Sequence, residues 1–525
     1  MTRYALLTLL FLSPAFSDTI TVRQDGTGDY DSIQAAVDAA QDGDVISLGP
    51  GIWTSADSSG KPVVELLQKA VSIESTDGAG TTFINGEEER ACLVAESPSL
   101  GGGTIQLTGI SFINGYSIGQ LVRGGGVSLV GVDARLSACR FIDCASLYNG
   151  GGLFAWQSTL VLEDCTFADN VALEGAGAYL WEIEAPTLTD CTFTGNEADF
   201  NGGGCSLRQT SPQMTNVVFT GNQAVQGGGL YCLQADPVLV EPTFTDNFAT
   251  VHGGGLVCSQ ASPTIQGGTF RGNAALYQGG GMYCFNANPS MDSVEFTENI
   301  STHGGAMYLE QASPIATQCR FESNTAGQSG AAFMALQGDP TMAQCVFDSN
   351  TAATWGGAAH LRQASPTFSN CEFTGNSAEN GGGAIAGQGG QPTLTDCEVV
   401  SNSTLGSGGG LRNGPGCSAI LSDTLVCGNV VNEVATEANQ IEGEAWGNGG
   451  GNCILASCAG ADDCTPVSPC DADVTGDDVV DGQDLAVILA AWGQDVPELD
   501  LVGNGTVDGQ DLAQVLAAWG YRCGR

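Results

Sequence analysis

The sequence predicts an all-β right-handed parallel β-helix, a solenoid, followed by a small α-helical domain. Three observations predict it. A Phe-x-x-Asn marker returns every 25 or 26 residues. Glycine clusters fall between the markers. Two acidic loops, each leading into a short helical stretch, close the chain. The marker begins at Phe167 with Asn170 and recurs at Phe193, Phe219, Phe244, Phe270, Phe296, Phe321, Phe347 and Phe373, each with its Asn three residues on. Val399 with Asn402 ends the run. A period this short encloses no core of its own, so each unit must bury its apolar face against the next.

The first residues read as an export signal. Arg3 supplies a small positive region, Tyr4 to Leu12 a short apolar core, and Ala15-Phe16-Ser17 a cleavage site, so the mature chain is expected to begin at Asp18. That apolar run is too short to span a bilayer and no other span follows, which predicts a secreted protein, in solution or held at a cell surface. From Tyr30 to Ala40 the pattern changes to an amphipathic helix, with Ile33, Ala36, Val37 and Ala40 on one face and Asp31 or Ser32 as cap. Residues 44–48 read as a strand. The order of these elements over Gln24 to Trp53 resembles the start of pectin-lyase-like β-helix proteins, in which such a helix plugs the end of the coil and protects open sheet edges. The stretches at Thr81 to Gly86 and Leu107 to Gly115 resemble early coils of that fold. Residues 18–115 are therefore assigned to the cap and first coils.

Residues 116–430 are assigned to the regular coils. Clusters such as Gly253 to Gly255 and Gly279 to Gly281 exclude helix and suit tight corners. A short apolar stretch follows each cluster, then a turn such as Ser262-Pro263, then an alternating stretch ending at the Phe. Stacking coils puts Phe on Phe in the interior and Asn on Asn beside turn backbone. Gln209, Gln234, Gln260, Asn286, Gln311, Gln337 and Gln363 form a further ladder. These Gly-Gly and Phe-x-x-Asn units resemble the repeats of polymorphic outer-membrane proteins, without the barrel.

There are 58 acidic residues against 15 basic ones, a net charge of −43, and only two lysines, Lys61 and Lys69. Such a surface repels nucleic acid, whose binding rests on basic contacts to phosphate. Ten of the 20 cysteines fall into ladders, Cys232, Cys258 and Cys284 after the glycines among them. Cys139, Cys165 and Cys191 precede the marker Phe by two residues, as do Cys319, Cys345, Cys371 and Cys397. Buried free thiols are the favoured reading, with bridges between adjacent rungs as the alternative. Residues 431–469 form a Gly-, Cys- and Asp-rich linker whose cysteines are expected to be bridged.

The tail, residues 470–525, carries two twelve-residue loops with oxygen ligands at the spacing Ca²⁺ requires. The first offers Asp473, Thr475, Asp477, the carbonyl of Val479, Asp481 and Asp484. The second offers Asp500, Asn504, the carbonyl of Thr506, Asp508 and Asp511. Val502 stands where the second loop needs an oxygen, so uneven affinity is expected. This duplicated loop-helix unit resembles a type I dockerin. The resemblance implies calcium-dependent docking to a cohesin-like or other surface protein, with Gly482-Gln483 and Gly509-Gln510 helping to select the partner. Cys470 and Cys523 bracket the module and are placed to clasp its ends.

For the coil itself the sequence offers little chemistry. The least regular stretch, Trp181 to Glu184 with Trp156 one coil before, makes Glu182 and Glu184 the only catalytic candidates, and an ordinary surface turn is the favoured reading of it. Tyr148, Phe200, His252, Tyr277, His303 and Trp355, just before the glycine clusters, recur at coil spacing. They suggest an exposed edge for stacking on sugars, though filling a corner of the coil is the commoner role. The sequence thus places binding to an extracellular polysaccharide or a cell surface ahead of catalysis. The alternative is a polysaccharide-degrading enzyme, a pectate-type lyase or glycoside hydrolase.

Overall fold

The computed structural model describes residues 17–525 apart from 56–59, 98–102, 120–122, 444–445, 459–471, 478, 495, 497, 500, 502–505, 521–522 and 524–525. Nearly all of the expected export signal lies outside the described residues. The chain divides into two units, Met1–Asp199 with Gly204–Gln213 and Phe200–Gly203 with Met214–Arg525. Among the described residues no helix is long and apolar enough to cross a membrane.

The first unit opens with the strand Thr19–Val22, which pairs in parallel with Val45–Leu48. Between them lies helix α1 (Ile33–Ala39), which buries Ile33, Ala36 and Val37. Ser32 caps its start by accepting the Ala35 N–H. Lys69, on a later rung, caps its end: the ammonium donates to the carbonyls of Val37, Asp38 and Ala40 at 2.6, 2.8 and 3.0 Å. One of the chain's two lysines is thus spent on the cap helix. The coils that follow are parallel β-helix rungs. One face stacks Leu93–Glu96, Val127–Val130, Leu153–Trp156, Ala178–Trp181 and Cys205–Arg208 in unbroken parallel register. Phe112, Phe141, Phe167 and Phe193 stack inside, with neighbouring ring centroids 4.6–5.2 Å apart.

The second unit continues the pattern with four strands per coil. Taking one coil as the type, Met282–Phe285 follows the glycines and Ser290–Asp292 follows the proline turn. Glu295–Thr297 then carries the Phe, and Ile300–His303 leads to the next glycines. Phe219, Phe244, Phe270, Phe296, Phe321, Phe347 and Phe373 stack at 4.5–5.0 Å, all fully buried. The marker asparagines are fully buried too. Each Asn Oδ1 accepts both the backbone N–H and the Nδ2 of the Asn one coil earlier, at 2.9–3.1 Å. Each Nδ2 also donates to the carbonyl of the Phe one coil earlier. The ladder ends at Gln440 in the short helix α2 (Glu437–Gln440), whose Oε1 accepts from Asn429 in place of a further Asn.

The glycine corner has a steric cause. Gly253 sits at φ +62°, and a Cβ on Gly254 would lie 2.5 Å from the Gly280 carbonyl oxygen. The ladder cysteines are buried free thiols, as favoured from the sequence. The glutamine column adopts positive φ near 50°, and side-chain bonds join Gln234 to Gln260 and Gln337 to Gln363 at 3.1 and 3.0 Å.

Parallel pairing runs on into the segment expected to be a linker. Ile441–Gly443, Gly447–Asn448 and Cys453–Leu455 pair with Leu411–Asn413, Ile420–Ser422 and Leu425–Cys427 and complete one more coil. A disulfide joins Cys427, in the strand Leu425–Cys427 one coil after the last marker, to Cys458. Cys453 and Cys523 are also disulfide-bonded, while Cys464 and Cys470 lie outside the described residues. The tail holds helices α3 (Gly482–Ala490) and α4 (Gly509–Ala517) around a small core of Ala472, Val480, Ile488, Ala491, Val507 and Val515.

The Asn ladder supplies a direct test. Asn299→Ala orphans the buried amide donors of Asn273. At about 1–3 kcal/mol per buried unsatisfied group, a loss of about 2–5 kcal/mol is expected by chemical denaturation.

Candidate functional site

Two places in the second unit gather chemistry. The first is the loop before α3. Asp473, Asp477 and Asp484 bring carboxylate oxygens within 4.8 Å of one another. Asp484 is fully buried and anchors the loop: its Oδ1 accepts the Thr475 N–H and hydroxyl at 3.0 and 2.9 Å, and its Oδ2 accepts the Asp481 N–H at 2.8 Å. Asp473 Oδ1 accepts the N–H groups of Gly476 and Asp477 at 2.8 and 3.1 Å. Asp481 caps α3 and forms a capping box with Asp484. The backbone thus folds the loop around converging carboxylates, a donor set that chelates a divalent cation. Val479 donates its N–H to Asp477 Oδ1 at 3.1 Å. In the second loop Asp500 and Asn504 lie outside the described residues. Asp511 there is buried and accepts the Asp508 N–H at 2.7 Å, repeating the Asp481–Asp484 bond, and Thr506 is exposed. The two halves are cross-bonded: the Gly493 N–H donates to the Val507 carbonyl and the Gly520 N–H to the Val480 carbonyl, both at 2.8 Å.

The second place is the outer side of the post-glycine face. Period-two alternation should leave its outward positions wet, yet Val257, Tyr283, Tyr308 and Met334 are buried and form one apolar cluster. The segment before the glycines reaches this cluster through His252. Column positions in that segment are set by bridges from His252 to Gln278, from Gln278 to His303 and from Ser329 to Trp355. The His252 ring stacks on Tyr283 with centroids 4.4 Å apart, and the Tyr283 hydroxyl donates to Glu310 at 2.8 Å.

A pocket of about 390 Å³ opens in this groove, lined by residues that include His303, Trp355, His360, Arg362 and Arg412. It lies within the size range of small-molecule sites, roughly 300–1,000 Å³. His360 follows Met334 in the outward column and Arg412 follows Ala386, each in register. The Arg412 guanidinium lies 4.3 Å over the Trp355 ring, and its Nε is 3.4 Å from Glu442. The buried Nδ1 atoms of His303 and His360 have no hydrogen-bond partner among the described residues. Burial pushes the His360 imidazole down to about 4, with Arg362, His303 and Arg412 adding to the effect. Burial and Arg362 lower His303 as well. Both rings are therefore neutral at pH 7.

The six recurring ring-bearing residues divide between two adjacent columns. His252, His303 and Trp355 occupy the column just before the positive-φ glycine and lean into the groove. Phe200 and Tyr277 sit one residue earlier and are 54% and 59% exposed. Tyr148 also sits one residue earlier, in the first unit, half-buried. Glu182 accepts from the Trp156 indole at 3.2 Å and from Gln157 at 2.9 Å, and Glu184 is exposed. These two carboxylates, in the first unit, do not line the pocket.

Sequence reasoning missed His360, Arg362 and Arg412. The available signal was the loss of alternation after the glycines. Stretches such as Leu-Tyr-Cys at 230–232 and Phe-Met-Ala-Leu at 333–336 are apolar at inward and outward positions alike, the mark of a strand covered on both faces.

Among known proteins, a family model described as "Right handed beta helix region" matches residues 99–249, and the coil is a right-handed parallel β-helix. A "Chlamydia polymorphic membrane protein repeat" model matches residues 370–388. No curated protein matches the chain significantly. Among solved structures, the Agl-KA catalytic domain is 12% identical, with 78% of this chain and 69% of that chain covered and a TM-score of 0.34. The family 28 exopolygalacturonase of Yersinia enterocolitica is 11% identical, with 78% of each chain covered and a TM-score of 0.29. DFA-IIIase from Arthrobacter chlorophenolicus A6 is 11% identical over 78% of this chain and 92% of that one, with a TM-score of 0.26. Likenesses this low carry no conclusion about activity.

Two measurements test the sites. Between pH 6.5 and 4 the unfolded chain protonates the His360 position while the folded chain does not, so stability drains away as pH falls through that window. His360→Gln is expected to lose less melting temperature than the parent between pH 6.5 and 4.5. Calcium at a hundredfold excess over its dissociation constant is expected to stabilise the tail by about 2.7 kcal/mol. Asp477→Ala and Asp484→Ala are expected to remove the first-loop share of the calorimetric heat.

Proposed function

We propose that the protein degrades an extracellular polysaccharide at the groove pocket and is attached to a partner through a calcium-folded, dockerin-like tail. One observation carries the catalytic half. Two imidazoles are held neutral, with buried nitrogens left unpartnered, beside two guanidiniums and an indole in one pocket. Perturbed titrating groups collected in a cleft point to chemistry. A neutral imidazole there has a free lone pair for a proton, while the burial that keeps it neutral also lowers its basicity until a bound anion offsets it. This reverses the order drawn from the sequence, which set binding ahead because nothing linear exposed the pocket.

Within that reading a lyase fits better than a hydrolase. Glycoside hydrolysis ordinarily uses two carboxylates across the scissile bond, and no Asp or Glu is among the pocket's lining residues. Elimination needs a base and a cation to steady the charge that develops, and the pocket offers both kinds of group. Binding without turnover remains the second reading. It is supported by the exposed rings of Phe200 and Tyr277, one residue before the column that borders the groove.

For the tail, support comes from the converging first-loop carboxylates and from the doubled architecture. Leu489 and Trp492 on one half, and Leu516 and Trp519 on the other, are about equally exposed. A cohesin-like protein is the proposed partner, calcium the proposed ion, and a Cys470–Cys523 bridge the proposed clasp.

Purified protein incubated with a panel of acidic and neutral polysaccharides is expected to release unsaturated oligosaccharides from at least one. His360→Ala is expected to lower that rate at least tenfold with the fold intact. Absence of any new chain ends across the panel would overturn the catalytic reading. Retention on an immobilised cohesin-type domain is expected with calcium and lost with chelator.

A further inference from the structure

We propose that the groove pocket seats a carboxylate-bearing sugar unit of an acidic polysaccharide, with Arg362 and Arg412 as its charge-reading side chains. This inference rests on the polysaccharide reading above and adds to it the substrate's charge and the residues that select it.

Positive charge is scarce in this chain. Only 15 basic residues stand against 58 acidic ones, and such a surface repels polyanions. Several of the arginines are neutralised by a nearby carboxylate. Arg135 pairs with Glu163, Arg271 with Glu298, and Arg320 with Glu322 and Asp348. Two arginines line the pocket and no carboxylate does; Arg412 has Glu442 outside the pocket as its acid partner, whereas no ion pair is seen for Arg362 among the described residues. Arg362 is exposed and lies in register between Leu336 and Gln388. Arg412 is fixed in place, its plane over Trp355 and its Nε facing Glu442 on the next rung. That contact occupies one edge of the guanidinium. A planar fork held this way suits a carboxylate.

The remaining lining suits a sugar. Gln328, Ser329, Thr354 and Gln388 supply amide and hydroxyl groups, and Met334 and Trp355 supply apolar surface. Thr354 is itself oriented, donating to the Gln328 carbonyl at 2.9 Å and bonded to the Ser329 hydroxyl at 2.8 Å. His360 is only 8% exposed, and its orphaned Nδ1 gives a bound polar group a partner inside the protein. Arg362 and Arg412 both disfavour the His360 imidazolium. A carboxylate between them would relieve that repulsion, and Glu310 and Glu442 do not line the pocket.

The test uses the full chain with calcium held constant. The probes are oligouronides of defined length, their methyl esters, a neutral oligosaccharide of equal length and the free uronate monosaccharide. Binding is followed by calorimetry and by the fluorescence change lost in Trp355→Phe. The oligouronide is expected to bind at least tenfold more tightly than its ester or the neutral chain, with affinity falling as salt rises. Arg362→Gln is expected to weaken it at least tenfold with an unchanged melting temperature. Arg412→Gln is expected to do the same and also to alter the Trp355 emission. Equal affinity for ester and acid would overturn the proposal, as would wild-type affinity in a folded Arg362→Gln, or the absence of binding by any oligouronide. Tighter binding of the free monosaccharide than of the oligomer would also overturn it, since the site would then read a small acid. Binding without cleavage sinks the catalytic reading and leaves this inference standing. Cleavage of an acidic polymer at an unchanged rate in both arginine variants does the reverse.

Discussion

The buried asparagine amide is the constraint on which the repeated coils depend. Its oxygen takes two donors from the preceding rung and its nitrogen returns a bond to that rung's Phe carbonyl. An amide removed from water must satisfy these groups inside the protein, and a second side-chain amide at the same height does so. The ladder therefore fixes the register, and the phenylalanine stack follows it. Coils still differ in length by a residue, and that slack is taken up elsewhere. The parallel register shifts between Ala224 and Gln226 and again between Ser301 and His303, both in the segment before the glycines. The same segment carries His252, His303 and Trp355. Rigidity on one side of the coil and tolerance on the other decide where a site can form.

Electrostatics reinforces the division. The chain is so acidic that each cation stands out by its placement. Lys69 closes a helix end through three carbonyls. Arg362 and Arg412 border a pocket without carboxylates. In the tail the logic inverts, since carboxylates are driven together by a loop whose backbone donors hold them. A divalent cation is the natural counter-charge to that arrangement.

Much of the fold was legible because its rules are local and repeated. Phe167 and Asn170 announce their own rung, and nine further copies fix the period. The helix at Ile33–Ala39 was legible from its spacing and from Ser32. The first acidic loop was legible because a single linear segment supplies its three converging carboxylates. The pocket was not, because His303, Trp355, His360 and Arg412 come from different coils and meet only through register. Each taken alone resembles a substitution at an otherwise repetitive position. Cys427 escaped for a related reason: it sits at the end of the strand Leu425–Cys427, one coil past the last marker and outside the cysteine ladders, and its partner is 31 residues away.

The way the ladder ends has an evolutionary consequence. Gln440 completes the amide row by offering Asn429 the same acceptor that another Asn would offer, and its own nitrogen turns back to the Asn429 and Thr436 carbonyls. The terminator thus recognises a rung without recognising which rung it is. Tandem duplication or loss of a whole 26-residue segment between Phe219 and Phe296 would present the same final Asn to the same Gln. Lineages can lengthen or shorten the array in single steps while the rungs that carry the arginines pass through unaltered.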